Sequence, residues 1–529
     1  MTRGSRVRFA LLSAGAALVA GVLGTLLVSA RLEKRTEQAP TSEASKLLDE
    51  VVARLSAAHD IPRDSLYLWA ARALVENSGD PYAQLMDPEE YQDFAASTGG
   101  AFGGIGSSVD LREGFPTLVE PVAGSPAERA GLQRGDQIVE IDGQSTDGWS
   151  IDEVVDALRG PVGESVTLRI RRDGVALPQP FEVVRASVSV PSVIHAYRTE
   201  EGIGVIQLSS FGHRAAFEFE AALSHLESEG DLEGLVLDLR GNPGGLLEEA
   251  LAVADLFLPT GEVLTISTGV GGGVNSEYRA RDEEDNAALP IAVLVDGHTA
   301  SAAEVLAGAL QDHDRAVVVG EPTFGKGSVQ SIFSLPGGYR LKVTTARWYT
   351  PEGRGLDRFH GAFGGTVIET GDRAPSLSLD TGAQADGSGG IQPDVEVADS
   401  VVAVRKRAAA QLKNEESGKP FRDLIFAYAR RLARDSSLTA GAPPPRDAID
   451  ALIAEARRSD LLRVTPNLPV LREYLSFELG YQTAQLRGGS ALARRFSDAH
   501  DMQVRTAIEL IRASSSSRER MNIASAGGD

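Results

Sequence analysis

The stretch IAVLVDGHTASAAEVL, residues 291–306, decides the fold class of this chain. Its first five residues, Ile291–Val295, form a continuous apolar run, which predicts a strand buried on both faces. A helical run of small residues follows at 302–310, after the turn 296–300. Ser301 is therefore expected between the carboxyl end of a strand and the amino end of a helix, as in an α/β domain.

The same alternation of apolar strands and helices extends on both sides of that stretch. Buried strands are predicted at residues 204–208, 234–239, 291–295 and 316–319, and helices at 215–227, 247–257 and 302–310. Together they predict an α/β core over residues 191–400. A Gly- and Ser-rich surface insertion is expected within it, at 356–390.

Three further regions make the chain multidomain. Residues 37–98 have apolar residues at helical spacing, and Asp87-Pro88-Glu89-Glu90 is typical of a helix start. Residues 99–190 consist of short β-rich runs punctuated by glycines, with two helices. Residues 401–529 are predicted to be helical and are longer than the core requires.

Residues 1–36 have the features of an export or membrane-anchoring segment. Arg3, Arg6 and Arg8 precede an apolar run at 9–30 that is long enough to span a bilayer. Val28-Ser29-Ala30 resembles a cleavage site, so a cleaved signal peptide is the alternative to an anchor. With the basic flank inside, the rest of the chain would lie in the bacterial cell envelope, anchored at the inner membrane facing the periplasm or exported to it.

Composition excludes several classes of function. The 529 residues carry a net charge of −22, which argues against a nucleic-acid partner because binding would need a basic surface. There are no cysteines, so disulfides, thiolate catalysis and cysteine–zinc sites are excluded. The eight histidines form no His-Glu-x-x-His zinc helix. The sequence therefore predicts no metal and no cofactor.

Ser301 is a candidate nucleophile because of where it lies. The free N–H groups and dipole at a helix start stabilise developing negative charge, and the N–H of Ala302 is a natural oxyanion donor. The alternative is that Ser301 only caps the helix. His298 lies three residues earlier and is interpreted as a turn residue.

Lys326 is the candidate base for that nucleophile. A lysine can accept a proton near neutral pH when burial lowers its pKa from roughly 10.4. An exposed loop lysine is one alternative, and a phosphate-binding loop is another, because 320–326 matches its first seven positions. The eighth position is Gly327 instead of Ser or Thr, and a strand-like segment follows instead of a helix.

The segment Asp238-Leu239-Arg240-Gly241-Asn242-Pro243-Gly244-Gly245 closes another apolar strand. Its adjacent glycines would allow main-chain N–H groups to approach a reacting carbonyl. A strand-to-helix turn that needs glycine for its backbone angles is the alternative, and both interpretations can hold together.

Taken together, these segments resemble the carboxyl-terminal processing proteases, the tail-specific serine–lysine peptidases. The resemblance covers roughly residues 45–397. It implies Ser301 as nucleophile, Lys326 as general base and Gln330 as the residue that positions the lysine. The oxyanion hole would come from Ala302 and one of Gly244 or Gly245. Glu304 would be an auxiliary polar contact.

The β-rich region resembles a PDZ domain. Phe102 is followed by Gly103, Gly104, Ile105 and Gly106, which look like the loop that holds a peptide carboxylate. PDZ domains bind such a peptide as an added strand. Arg159, after the second helix of the region, is a candidate for reporting occupancy, with a solvated surface arginine as the alternative.

The expected activity is that of a serine endopeptidase that processes or degrades exported proteins from or near their carboxyl termini. Its expected partners are peptide substrates with free carboxyl termini, the membrane through residues 1–36, and either a second copy of the chain or an adaptor protein. The alternative is a noncatalytic, PDZ-containing scaffold that binds peptides.

Overall fold

The structure is a computed structural model that describes residues 43–98, 101–112, 114–122, 124–172, 174–258, 262–267, 275–280, 289–356 and 389–513. The predicted signal or anchor segment and most of the predicted insertion at 356–390 lie outside these residues. Among the helices that are described, none is long and apolar enough to cross a membrane.

From residue 43, where the description of the structure starts, the amino-terminal region contains three helices and one short strand. The elements are α1 (Glu43–His59), α2 (Arg63–Glu76), β1 (Gln84–Met86) and α3 (Pro88–Thr98). The predicted start of α3 is confirmed, because the Asp87 carboxylate accepts from the N–H groups of Glu89 and Glu90 at 3.0 and 2.9 Å. In return, the Glu90 carboxylate accepts from Asp87 N at 2.8 Å, which completes a capping box.

The β-rich region folds around one antiparallel sheet. Its elements are β2 (Ala101–Gly104), β3 (Ser107–Arg112), β4 (Phe115–Pro121), α4 (Pro126–Arg129), β5 (Gln137–Ile141), β6 (Gln144–Ser145), α5 (Ile151–Leu158), β7 (Ser165–Arg172), β8 (Val175–Ala176), β9 (Phe181–Val184) and β10 (Ala186–Ser189). This sheet runs β3-β4-β5-β7-β8, with β6 on β5 and β9 on β7, while β2 and β10 form a separate antiparallel pair. Alternate residues of β7 are buried, so one face of the sheet covers a core that includes Leu118, Ile138 and Val154.

The predicted α/β core is organised on a six-stranded sheet. Its elements are β11 (Val193–Arg198), β12 (Ile203–Leu208), α6 (Ala215–Ser228), β13 (Gly234–Asp238), α7 (Leu247–Asp255), β14 (Glu262–Ser267), β15 (Asn275–Arg279), β16 (Ile291–Val295), α8 (Ala302–Asp312), β17 (Ala316–Gly320), β18 (Ser328–Ser334), β19 (Arg340–Tyr349) and β20 (Val395–Glu396). The strand order is β11-β12-β13-β16-β17-β20, parallel except for β11.

The central strands β13, β16 and β17 are buried along their whole length. Continuous apolar runs predict this, since a parallel sheet is covered on both faces. Helices α6, α7 and α8 cover one face. A second sheet, β1-β19-β14-β15 with β18 on β19, lies beside this core. Because β1 pairs with β19, the amino-terminal region is not purely helical and joins the peptidase core.

The described part of the carboxyl-terminal region contains five α-helices. They are α9 (Ser400–Ala409), α10 (Gly418–Arg434), α11 (Arg446–Arg458), α12 (Leu468–Asp498) and α13 (Met502–Ala513). Helices α10, α11 and α12 share a core of their own. Helix α13 instead packs Val504, Ala507, Leu510 and Ile511 on the second face of the six-stranded sheet. The predicted boundary at residue 400 therefore cuts off a helix that the core needs.

Replacing Leu510 with alanine is expected to destabilise the protein by about 2–5 kcal/mol, because it leaves a cavity between α13 and the sheet. Chemical denaturation followed by circular dichroism would measure the loss. Glu509, on the exposed side of the same helix, is the matched control, and its alanine variant is expected within about 0.5 kcal/mol of the wild type. Equal effects for both variants would show that α13 does not stabilise the core.

Candidate active site

Three turns that carry the predicted site residues meet at one edge of the six-stranded sheet. Strands β13, β16 and β17 are parallel neighbours, so their carboxyl ends lie side by side. The glycine turn, defined as residues 239–246, follows β13. The nucleophile turn, residues 296–301, follows β16, and the lysine loop, residues 321–327, follows β17. Ligand sites in parallel α/β sheets form at this edge.

Hydrogen bonds join the three turns directly. Thr299 Oγ1 donates to Leu239 O at 2.9 Å, and Ala300 N donates to Asn242 O at 2.9 Å. These bonds attach the nucleophile turn to the glycine turn. Phe324 N donates to Thr299 O at 3.0 Å, which attaches the lysine loop to the same turn. The three motifs therefore form one connected unit, although they are far apart in the sequence.

Ser301 has a backbone conformation that serine rarely adopts. Its φ is 55° and its ψ is −119°, immediately before the first residue of α8. A non-glycine residue in this region carries strain of about 1–3 kcal/mol, and such strain is concentrated at functional sites. The residue is half-buried. The strained turn presents a serine where a strand ends and a helix begins, as predicted.

Glu304 holds the nucleophile turn and the lysine loop together. The side chain is fully buried, and its Oε2 accepts from Ser301 N at 2.8 Å and from Lys326 N at 2.9 Å. Its Oε1 accepts from Gly325 N at 2.7 Å and from Thr323 Oγ1 at 2.6 Å. One carboxylate thus satisfies four donors and brings the main chain of Ser301 beside that of Lys326. Glu304, for which the family resemblance implied only an auxiliary polar contact, is therefore the residue that connects the two turns of the site.

Burial raises the pKa of Glu304 above its ordinary value, and the four donors oppose that rise. An ionised carboxylate accepts all four bonds, whereas a protonated one would present a hydrogen to a main-chain N–H, or to the Thr323 hydroxyl if that hydroxyl turned to accept. The geometry of both turns is therefore sensitive to the charge of this single group.

The Lys326 side chain is half-buried and lies against the amino-terminal region. Its Nζ is 5.1 Å from the centroid of the Tyr82 ring, a cation–π distance. Tyr82 precedes β1, and no motif in the sequence connected it with the site. The lysine loop leads into β18 instead of a helix, as the sequence predicted. Gln330 lies on β18, where its amide nitrogen donates to Ser328 Oγ at 3.0 Å.

The glycine turn approaches the nucleophile closely. A Cβ on Gly244 would lie 2.8 Å from Ser301 Cβ and 3.0 Å from Ala302 N, so only glycine fits there, at φ 98°. The N–H of Gly244 donates to Asn242 Oδ1 at 2.9 Å. Gly245 is exposed, and within the described residues neither its N–H nor that of Ala302 donates to a protein acceptor. Gly245 is thus the better placed of the two glycines to bind an oxyanion.

The predicted carboxylate loop of the β-rich region is only partly a loop, because Gly103 and Gly104 end strand β2, which pairs with β10, and Ile105 and Gly106 connect it to β3. Gly103 O accepts from Gly160 N at 3.1 Å, and Gly106 adopts φ 75° against Ser125. Gly104 and Ile105 are buried between them. The segment leads into β3, which among the described strands pairs with β4 alone and contacts α5 on its other side. An edge strand beside a helix is the geometry that accepts a peptide as an added strand.

Arg159 caps α5 and its side chain is exposed. A second arginine near it was not predicted. Arg185 is buried, and its Nη2 donates to Ala157 O at 2.9 Å while its Nε donates to Leu158 O at 3.3 Å. It thereby satisfies the last carbonyls of α5 and complements the negative end of that helix. In the sequence, an arginine at the end of a β-rich run is typical of an exposed residue, so no local pattern predicted that Arg185 is buried.

In the part of the chain that is described, no group of three or more His, Cys, Asp or Glu residues is arranged to hold a metal ion. The arrangement combines a parallel α/β core, a strained serine at a strand-to-helix turn, a lysine loop and the main-chain N–H groups of Ala302 and Gly245, of which Gly245 is exposed. It defines the class of α/β enzymes that carry their chemistry on turns at the carboxyl edge of the sheet.

Comparisons with known proteins agree with this class. The model of peptidase family S41 matches residues 202–361, and a PDZ domain model matches residues 118–172. The carboxy-terminal-processing protease of Bartonella bacilliformis is 40% identical over 280 residues, which are 52% of this chain and 64% of that relative. The carboxy-terminal processing protease CtpB of Bacillus subtilis is 31% identical over 363 residues, 66% of this chain and 75% of the relative.

Among solved structures, the photosystem II D1 C-terminal processing protease has a TM-score of 0.38 and 27% identity, covering 65% of this chain and 86% of that one. The chain belongs to peptidase family S41, with the carboxy-terminal processing proteases, and its β-rich region is a PDZ domain. The alignment with the Bartonella relative spans somewhat less than two thirds of that protein, at 64%.

Proposed function

We propose that this chain is a serine endopeptidase in which Ser301 is the nucleophile and Lys326 the general base. The observation that carries the proposal is the Glu304 carboxylate, which accepts from the N–H groups of both residues. A buried carboxylate with four donors is costly to build. Its four bonds hold the main chain of Ser301 close to that of Lys326, which supports a joint role for the two residues.

In the proposed mechanism, neutral Lys326 takes the proton of Ser301 Oγ as that oxygen attacks the peptide carbonyl. The N–H groups of Ala302 and Gly245 would bind the oxyanion that develops. Lys326 then gives its proton to the leaving amine, and an acyl-enzyme remains. Water attacks the acyl-enzyme with Lys326 again as base.

Gln330 is assigned the role of positioning Lys326. Because its amide nitrogen donates to Ser328, the proposal assigns the lysine contact to the carbonyl oxygen of the Gln330 amide, which accepts from an amine. In this proposal the amide nitrogen of Gln330 fixes the side chain to β18, and its amide oxygen orients Lys326.

The PDZ domain would select substrates by their carboxyl termini. The substrate tail would add to the free edge of β3, with its carboxylate in the loop formed by Gly103, Gly104, Ile105 and Gly106. Arg159 would report occupancy of that loop. We place the protein in the bacterial cell envelope, held or exported by residues 1–36, with exported proteins as substrates. A second copy or an adaptor protein would be its partner there.

A noncatalytic, peptide-binding scaffold is the second candidate function, and the PDZ domain favours it. It requires neither the strain at Ser301 nor the Glu304 bonds to the lysine loop. A scaffold would bind peptides with free carboxyl termini and leave them intact. Incubation of the protein with such a peptide therefore distinguishes the two functions.

That experiment uses residues 37–529 and an unstructured protein with an apolar carboxyl terminus. Cleavage followed by mass spectrometry is expected for the free carboxyl terminus and is expected to slow several-fold when the same terminus is amidated, because amidation removes the charge that the PDZ loop binds. The Ser301→Ala variant is the control for contaminating proteases. Binding without cleavage would favour the scaffold, and equal rates for both substrates would refute selection of the terminus.

A further inference from the structure

A buried charge cluster lies directly behind the glycine turn. Asp238, the last residue of β13, is fully buried and pairs with Arg240 at 2.8 Å. The Nη1 of Arg240 donates to Asp501 Oδ2 at 2.6 Å and to Gln503 Oε1 at 2.7 Å. Asp501 and Gln503 lie at the junction of α12 and α13. The junction of these two carboxyl-terminal helices therefore contacts Arg240, the residue immediately before Gly241.

Arg494 of α12 supplies a second cation to Asp238. Its Nη2 donates to Asp238 Oδ2 at 2.5 Å, and its Nη1 donates to Gln207 Oε1 at 2.6 Å. Asp238 and Gln207 face each other at the ends of β13 and β12, so one guanidinium joins the two strands. Burial alone would raise the pKa of Asp238, but Arg240 and Arg494 hold that pKa below its ordinary value.

The same helix contacts the PDZ domain five residues earlier. Helix α12 is kinked at Gly489, whose φ of 71° and ψ of −163° are not helical. A Cβ at that position would lie 2.5 Å from Nη2 of Arg134, which belongs to the PDZ domain. Arg134 Nη1 also donates to Gln485 O at 3.3 Å. The PDZ guanidinium thus occupies the space that the kink opens and bonds a carbonyl of the preceding turn.

We propose that the second half of α12, from Gly489 to Asp498, connects the PDZ domain to the glycine turn, with Arg494 as a positioning residue for that turn. The proposal rests on the proposed function. The first residue of this half-helix, Gly489, contacts Arg134, and Arg494 in its middle bonds Asp238, the last residue of the strand that leads to Gly245. A movement of the PDZ domain would shift the kink and, through Arg494, the end of β13.

Losing Arg494 would remove its bonds to Asp238 and Gln207, and also its Nε bond at 2.8 Å to the buried Asp498 at the end of α12. Asp238 would keep Arg240, so the pair would survive, but the bridge from β12 to β13 and the link to α12 would be lost. The glycine turn would then fluctuate more, although none of its own residues changes. Because a displacement of about 1 Å can cost on the order of 10²-fold in rate, kcat should fall while KM stays within about twofold.

Hydrogen–deuterium exchange of the chain 37–529 tests this without substrate. In Arg494→Gln, the amides of Asn242, Gly244 and Leu246 are expected to exchange at least several-fold faster, because each is now hydrogen-bonded within the turn or to Phe211. Helix α13 should be unchanged. The matched control is Arg495→Gln, since Arg495 is its neighbour on α12, is exposed and lies over the Tyr197 ring.

The PDZ end is tested by Arg134→Gln, with Arg129→Gln as its control because Arg129 is an exposed arginine that bonds only its own domain. Faster exchange in the glycine turn is expected for Arg134→Gln alone. If Arg494→Gln matches Arg495→Gln, or loosens α13 equally, Arg494 is merely structural and the proposal is wrong. If Arg134→Gln leaves the turn unchanged, the PDZ connection is wrong. An inactive wild type would refute the proposed function, while the exchange data would still decide the connection.

Discussion

Replacing Ser301 with alanine is expected to reduce peptide-bond cleavage on the order of 10⁶-fold in kcat, and Lys326→Ala should have an effect of similar size. The nucleophile and its base act as one unit, so the double variant should be no worse than either single variant. The rates would be measured with a fluorogenic peptide that carries a free carboxyl terminus.

The fold should survive both changes, because neither side chain is part of a core cluster. Lys326→Arg should also fail, since guanidinium does not lose its proton in this range. The exposed Lys406 on α9 is the control for removal of a positive charge, and Lys406→Ala should cleave normally. Losses that multiply in the double variant, or near-normal cleavage by Lys326→Ala, would refute the dyad.

Much of the framework of the site could be predicted from local sequence. The apolar runs of β13, β16 and β17 are continuous because both faces of each strand are covered, and continuity is visible without a structure. Parallel neighbours end at the same edge, so three motifs at three strand ends had to converge. The adjacent glycines predicted a close approach of the main chain, and Gly244 does lie too close to Ser301 for any side chain to fit.

What could not be predicted depends on contacts between distant segments. Nothing local distinguishes Glu304 from a first-turn helix acid, because its function depends on donors from the lysine loop. Tyr82 reaches Lys326 only because β1 joins the second sheet. Helix α13 is an ordinary amphipathic helix in sequence, and the face it covers belongs to strands up to about three hundred residues away. Arg494 resembles any helical surface arginine until Asp238 is placed beside it.

The second large effect is expected from Glu304→Gln, which keeps the shape of the side chain and removes its charge. Glutamine has one acceptor oxygen and an NH₂ group that can only donate, so its hydrogens would face at least one main-chain N–H donor, even when the Thr323 hydroxyl rotates to accept. Each buried donor left unsatisfied costs about 1–3 kcal/mol. In one orientation of the amide the unsatisfied donors are the N–H groups of Ser301 and Lys326, and in the other it is the N–H of Gly325 in the lysine loop. Either loss would displace the lysine loop, so we expect kcat to fall on the order of 10²-fold or more.

Glu248→Gln is the matched control, since Glu248 is an exposed acid in the first turn of the neighbouring helix α7. It should leave cleavage unchanged.

The pH dependence of cleavage provides a second measurement, and the direction of the expected change follows from the pKa of Glu304. Burial raises the pKa of Glu304, so the wild type should lose activity as pH falls through that raised pKa and the carboxylate takes up a proton.

Glu304→Gln resembles the protonated state at every pH, so this contribution to the acid limb should be absent from its pH–rate profile, and only the limb that belongs to the base should remain. The two limbs can therefore be assigned separately, because Glu304 acts through the positions of two main-chain N–H groups and Lys326 acts through its own proton. A variant that keeps full activity and an unchanged profile would show that the Glu304 carboxylate has no part in holding the serine and the lysine together.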